Sequence, residues 1–194
     1  MLGLIRKGND LSVAVVPTAW DTYPLERKAN EVREQLAVFE QWGFRTSVLE
    51  LASADKSMVE KSLIDKSLVW VMGGNTFYLN YCMHKNGFSN VIRKFLDNGI
   101  VYGGESAGAV VAGSTLKGID QVDDPKEATG VIWEGLGLTH KGIIPHWGWD
   151  KYATEIKSAK DVMAETTEII MIDNDHAVII EDEKERVVEN SASK

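Results

Sequence analysis

The sequence predicts an α/β protein whose sheet is mainly parallel and carries helices on both faces. Short apolar, β-branched runs alternate with segments of helical period, which is the rhythm of βαβ units. Runs such as Val13-Ala14-Val15-Val16 are apolar throughout, as expected of a strand buried on both faces. Several of these runs stop at a proline or glycine turn, and in a sheet of this kind functional side chains belong at the carboxyl ends of the strands.

Val13 to Val16 is the first strand and ends at Pro17. A helix follows from Leu25 to Trp42, because Val32, Leu36, Phe39 and Trp42 recur at helical spacing and Gly43 supplies the stop. Thr46 to Leu51 is the next strand. A short helix between Asp55 and Lys66, with Met58, Leu63 and Ile64 turned inward, leads to the strand Leu68 to Met72, which ends in the tight turn Gly73-Gly74-Asn75. Thr76 to Asn86 and Ser89 to Asn98 read as helices, with Gly99 closing the second. Ile100 to Tyr102 is a strand, and a helix from about Ala107 to Ala112 comes after it.

The pattern then changes. Lys117 to Gly137 is rich in Asp, Gly and polar residues, has no strong period, and reads as a long functional loop. Gly142 to Pro145 is a short strand and Lys151 to Ala164 a helix. Ile169 to Ile172 and Ala177 to Ile180 are expected to form a hairpin around Asn174-Asp175, with the chain fraying from Glu189. The charge runs Glu31 to Glu34 and Glu181 to Arg186 read as solvated faces, and the six tryptophans as core and pocket wall.

A chain of 194 residues with 44% hydrophobic content can bury one sizeable core, and one domain over residues 1–194 is expected. A net charge of −8 without a Lys/Arg cluster argues against nucleic acid or an anionic membrane as partner and favours a small peptide or other small molecule. No apolar stretch approaches the roughly 20 residues of a membrane span, and the first residues lack a signal core, so a cytoplasmic location is expected. The single cysteine, Cys82, rules out an internal disulfide framework, and His84, His140, His146 and His176 show no metal-binding spacing. No metal or cofactor is expected; a homodimer is compatible with the sequence.

The chemistry points to residues 103–108, Gly-Gly-Glu-Ser-Ala-Gly, directly after the apolar run Ile100-Val101-Tyr102. Ser106 there occupies a G-x-S-x-G elbow, a strand turning sharply into a helix with a hydroxyl at the tip. A serine hydroxyl needs an imidazole to take its proton and a carboxylate to orient that imidazole. His146 ends the strand Ile143-Ile144-Pro145 and precedes Trp147-Gly148-Trp149, which makes it the candidate base. For the orienting carboxylate Asp120 is preferred among Asp120, Asp123, Asp124, Glu105 and Asp150. Acyl transfer also needs donors for the developing oxyanion. The N–H of Ala107 and of Gly74, within Gly73-Gly74-Asn75-Thr76, are the candidates, with Asn75 beside them.

Taken in order, Gly73-Gly74-Asn75-Thr76-Phe77, Gly104-Glu105-Ser106-Ala107-Gly108-Ala109, Asp123-Asp124-Pro125 and Ile144-Pro145-His146 resemble the peptidase E (aspartyl dipeptidase) family of serine peptidases, to which cyanophycinases are related. The resemblance runs from Val13 to Ile180. It implies a fold like the class I glutamine amidotransferases, with serine at the elbow where those enzymes usually carry cysteine. It also implies Ser106 as nucleophile, His146 as base, Gly74 and Ala107 near the oxyanion, and an acidic member in the loop after the elbow. Asp120 is its nearest match, and an insertion in this loop leaves Asp123 and Asp124 open.

Two departures accompany the resemblance. Aspartyl dipeptidases carry a Gly-Glu-Thr-Arg stretch after the histidine, whose arginine holds the substrate aspartate; this chain has Asp150-Lys151-Tyr152-Ala153-Thr154 and no arginine between Arg93 and Arg186. Lysine does not reproduce that bidentate grip. The family's first strand and helix are also not found before Val13. The expected activity is therefore hydrolysis of a small peptide or amide through an acyl-enzyme, without a stated preference for N-terminal aspartate. The competing expectations are an esterase of the α/β-hydrolase type using Ser106, Asp173 and His176, and an amidotransferase-like scaffold that binds without turnover.

Overall fold

The computed structural model describes residues 3, 5, 10–182 and 184–189. Four parallel strands, β1 (Ser12–Val16), β2 (Arg45–Val48), β3 (Leu68–Val71) and β4 (Val101–Gly104), form a sheet in the order β2-β1-β3-β4. Helices α1 (Leu25–Gln41), α2 (Lys56–Leu63), α3 (Thr76–Lys85) and α4 (Phe88–Asp97) make the crossovers, and α5 (Ala107–Ala112) follows β4. The apolar character of β1 follows from its central position, since side chains of opposite parity serve opposite layers. Val13 and Val15 pack with Phe39, Phe44 and Leu68 under α1, whereas Ala14 and Val16 join Val69, Val71, Leu79, Met83 and Ile92 on the other face.

Helix α2 turns differently from the expectation. Met58 and Ile64 are exposed, and the buried pair is Val59 and Leu63, four residues apart on one stripe. The side chain of Asp55 caps this helix by accepting from the N–H of Met58 at 2.8 Å. Trp42, Trp133, Trp147 and Trp149 are also surface residues, so core and pocket wall do not account for all the tryptophans.

Beyond α5 the chain builds two smaller sheets. β5 (Gly142–Ile144) pairs in parallel with β6 (Ile169–Met171) across helix α6 (Ala153–Ala164), and β7 (His176–Glu181) pairs antiparallel with β8 (Lys184–Glu189). The C-terminal hairpin is thus present with different strands from those expected: Ile169 to Ile172 belongs to a crossover unit, and the charged segment Lys184–Glu189 forms the second arm. Most side chains of β8 are exposed, so no apolar alternation marks the strand. The expected fraying beyond Glu189 lies outside the described residues. Among the described residues no helix is long and apolar enough to cross a membrane.

The loop between α5 and β5 is anchored rather than loose. Leu116, Ile119 and Ala128 pack with Phe77, Ile156 and Met163. The side-chain amide of Asn80 on α3 donates to the carbonyls of Ile132 and Glu134, at 2.9 and 3.0 Å. This holds the loop over the beginning of α3, where the carboxyl end of β3 opens.

Candidate active site

The turn from β4 into α5 holds Ser106 at φ 49°, ψ −115°. This is a rare backbone region for a residue with a side chain, and holding one there costs on the order of 1–3 kcal/mol. Its neighbours impose it. The N–H of Glu105 donates to Val71 O of β3 at 3.1 Å, and Ser106 O accepts from the N–H groups of Ala109 and Val110, both at 3.0 Å. Helix α5 lies so close to the sheet that a Cβ on Gly108 would collide with Val71 O, and one on Gly104 would strike the backbone of Gly108. The Tyr102 hydroxyl donates to Gly108 O at 2.7 Å, tying strand to helix. The glycines of the elbow are therefore requirements of packing, and the strained serine is its result.

Gly73 at the end of β3 lies directly against this serine: a Cβ built on it would stand 2.9 Å from Ser106 Cβ. Gly74 has φ +130°, and any Cβ there would run into the Ala19 backbone, which accepts from the N–H of Asn75 at 2.9 Å. Among the described residues the N–H groups of Gly74 and Ala107 take no hydrogen-bond partner. One unpartnered donor thus follows the serine in the elbow, and the other follows Gly73, which packs against it. The Asn75 side chain is occupied otherwise: its Oδ1 accepts from the N–H of Tyr78 at 2.9 Å, capping α3, and its Nδ2 donates to Asp124 O at 3.0 Å. It supports the turn rather than offering a polar group to a ligand.

His146 follows β5 at φ 60°. Its Nδ1 lies 2.7 Å from Asn174 Oδ1. A carboxamide oxygen only accepts, so Nδ1 is the donor, and in the neutral imidazole the lone pair is on Nε2. Pairing of β5 with β6 makes this contact. It continues past both strands through Ile172 N to Ile144 O and Trp147 N to Ile172 O, each 3.0 Å, which brings residues 28 apart side by side. The Trp149 ring stands 5.5 Å from the imidazole and packs in turn on Tyr152.

The group on the imidazole is thus Asn174, and Asp120 is not brought to it. Asp120 is exposed on a one-turn 3-10 helix, and its carboxylate accepts from Gln121 at 3.1 Å. Sequence reasoning noted Asn174 only as part of a turn, because the signal that identifies it is the register of two strands. Asp123 lies nearer the site. Its Oδ2 accepts from the N–H and the hydroxyl of Thr76, at 2.9 and 2.5 Å. Burial pushes its carboxyl up, opposed by those two bonds and by His146. Burial likewise raises Glu105, opposed by the N–H of Gly73 and again by His146. His176 is engaged elsewhere: its Nδ1 pairs with Asp173 at 2.7 Å, which raises the imidazole and lowers the carboxyl. Among the described residues no group of three or more His, Cys, Asp or Glu side chains is arranged to hold a metal ion.

Comparison with known proteins agrees with this architecture. A crystal structure of a candidate peptidase E protein from Listeria monocytogenes EGD-e superposes with a TM-score of 0.82 at 22% identity, over 98% of this chain and 92% of that one. A peptidase from an acI-B1 actinobacterium gives 0.75 at 21% identity, over 96% and 78%. At these identities the likeness speaks for the fold. In sequence, an uncharacterized peptidase of Pasteurella multocida is 24% identical over 173 residues, 89% of this chain and 82% of its own length. Peptidase E of a Nostoc species is 30% identical over 135 residues, 70% of this chain and 52% of that protein. The family model described as Peptidase family S51 matches residues 1–188, so the chain belongs to that family of peptidases.

Proposed function

We propose that the protein is a serine peptidase that hydrolyses a small peptide or related amide through an acyl-enzyme, with Ser106 as nucleophile and His146 as general base. The observation that carries this reading is Ser106 itself, held in a strained elbow against Gly73, with the N–H groups of Gly74 and Ala107 unpartnered among the described residues. In this reading the Nε2 lone pair of His146 takes the Ser106 proton as Oγ attacks the scissile carbonyl. The N–H groups of Gly74 and Ala107 receive the negative charge that develops on the carbonyl oxygen, a contribution of about 3 kcal/mol per donor in acyl transfer. The imidazolium then gives its proton to the leaving amine, and water hydrolyses the ester by the reverse sequence.

Asn174 takes the place in this scheme that Asp120 held in the sequence analysis. A neutral amide fixes the tautomer and the ring orientation without adding a negative charge. A fluorophosphonate probe tests the nucleophile. Labelling of the wild-type chain that disappears in Ser106→Ala, together with loss of peptide hydrolysis in Ser106→Ala and His146→Ala, is the expected result. Absence of labelling in folded wild-type protein would overturn it and favour a binding scaffold.

A further inference from the structure

The turn that carries Gly74 is held in place by a second turn. After β1 the chain makes a single turn of 3-10 helix, Thr18–Trp20, closed by the N–H of Asp21 donating to Thr18 O at 3.1 Å. Ala19 at its centre is fully buried. Its carbonyl accepts from the N–H of Asn75 at 2.9 Å, and its backbone fills the space where a side chain on Gly74 would stand. The N–H of Gly73, on the other side of Gly74, makes only a long bond to Glu105, at 3.4 Å. Where Gly74 lies, and where its N–H points, therefore depends largely on Ala19.

Lys28, in the first turn of α1, fixes that second turn. Its ammonium donates to Asp21 Oδ1 and to both carboxylate oxygens of Glu50, the latter at 2.9 and 2.8 Å. Asp21 ends the turn after β1 and Glu50 lies in the segment after β2, where the N–H of Leu51 donates to Thr18 Oγ1 at 3.0 Å. One cation thus ties together the loops after two strands and, through Ala19, the loop after β3. The Lys28 and Asp21 side chains are only 15% and 17% exposed. Lost hydration offsets much of the attraction in such a pair, so it is a weak source of stability. Burial lowers the proton affinity of the ammonium, but its bonds to Asp21 and Glu50 more than restore it, so Lys28 stays charged. Charge-assisted bonds to two carboxylates give this cation a defined geometry.

We propose that Lys28 is a positioning residue for acyl transfer: by clamping Asp21 and Glu50 it holds the turn after β1, and through Ala19 it aims the N–H of Gly74 at the developing oxyanion. This rests on the assignment of Ser106 as nucleophile and Gly74 as oxyanion donor above. Losing a whole donor costs roughly 100-fold or more in rate, so a misaimed one should cost about 30-fold. The test measures the rate of fluorophosphonate labelling against probe concentration, because the phosphonyl oxygen takes the place of the oxyanion and the maximal rate separates from probe binding. Lys28→Met is expected to lower the maximal rate about 30-fold and leave the half-saturating concentration within about twofold. Lys28→Arg can still pair with both carboxylates and should stay within about threefold of the wild-type rate. Adding Asp21→Ala to Lys28→Met should cost nothing further, since the two residues act as one unit. Lys141, which pairs with Glu168 and Glu185 beside Ser114 beyond the far end of α5, is the control, and Lys141→Met should label at the wild-type rate.

A Lys28→Met protein labelled at the wild-type rate, or a fall confined to the half-saturating concentration, overturns the proposal and leaves the nucleophile in place. So does a further fall on adding Asp21→Ala, or an equal fall in Lys141→Met. If Lys28→Met does not fold, Asp21→Ala decides alone: a lowered maximal rate supports the proposal and a wild-type rate overturns it. Wild-type protein without labelling removes the nucleophile, and this inference with it.

Discussion

The two halves of the candidate active site are built in opposite ways. Ser106 sits in a contiguous six-residue stretch, flanked by glycines whose missing side chains allow α5 to lie against β3 and β4. His146 and Asn174 come from two loops, 28 residues apart, and meet because β5 and β6 pair in parallel. One half is packed, with Ala107, Gly108, Val110 and Val111 buried, whereas Asn174 is exposed. In the proposed mechanism the difference separates two kinds of dependence: the elbow would couple chemistry to the stability of the fold, and the imidazole pair would tune chemistry at the end of a small sheet.

The comparison breaks most visibly at the elbow. Gly108→Val places a side chain where Val71 O now stands, and because backbone must move, a loss of upwards of about 3 kcal/mol is expected. Urea unfolding and fluorophosphonate labelling should fail together. A variant of wild-type stability would show that helix and sheet are not in the close contact described.

At the other half the expected pattern reverses. Asn174→Ala should lower kcat/KM by about 100-fold, since the imidazole loses the partner that fixes its tautomer, with little change in thermal midpoint. Asn174→Asp sharpens the contrast. A carboxylate beside the imidazole stabilises its protonated form, and a base must be neutral to act, so the acid limb of the kcat/KM profile should move to higher pH. Asp120→Ala should leave the profile and the rate unchanged; a comparable loss there would return the orienting role to that loop.

A smaller effect, on stability alone, is expected at Glu105, beside Ser106. Burial raises its carboxyl, so the folded state prefers the protonated form and stability falls as pH rises through the folded pKa. Glu105→Gln should therefore raise the thermal midpoint at neutral pH and leave it nearly unchanged well below the ordinary carboxylate range. An equal change at both pH values would mean that the substitution acts through packing instead of charge.

What could be read in advance follows from the same division. The apolar run of β1, the period of α1, the Gly73-Gly74-Asn75 turn and the elbow are local patterns, each constrained within a few residues. The hairpin was expected around Asn174-Asp175 because two apolar runs separated by turn residues signal one. The observed partner of β6 lies across α6, and nothing in the immediate sequence distinguishes parallel pairing at that distance from a hairpin. The charge run Glu181 to Arg186 reads as a solvated face, and the side chains of β8, which it overlaps, are largely solvated; the backbone pairing with β7 leaves no trace in hydrophobic pattern. Asp123 is a candidate for the orienting role by its place in the loop after the elbow, but its contact with Thr76 depends on how that loop crosses α3.

By itself the sequence determined the class of fold, the elbow serine and the histidine at a strand end, because these depend on short-range sterics and on which residues are apolar. Tertiary structure decided which group orients the imidazole, which loop carboxylate meets Thr76, and which strands make the C-terminal hairpin. Those choices rest on strand register and loop placement, where contacts form between residues tens of positions apart and no local pattern encodes the partner.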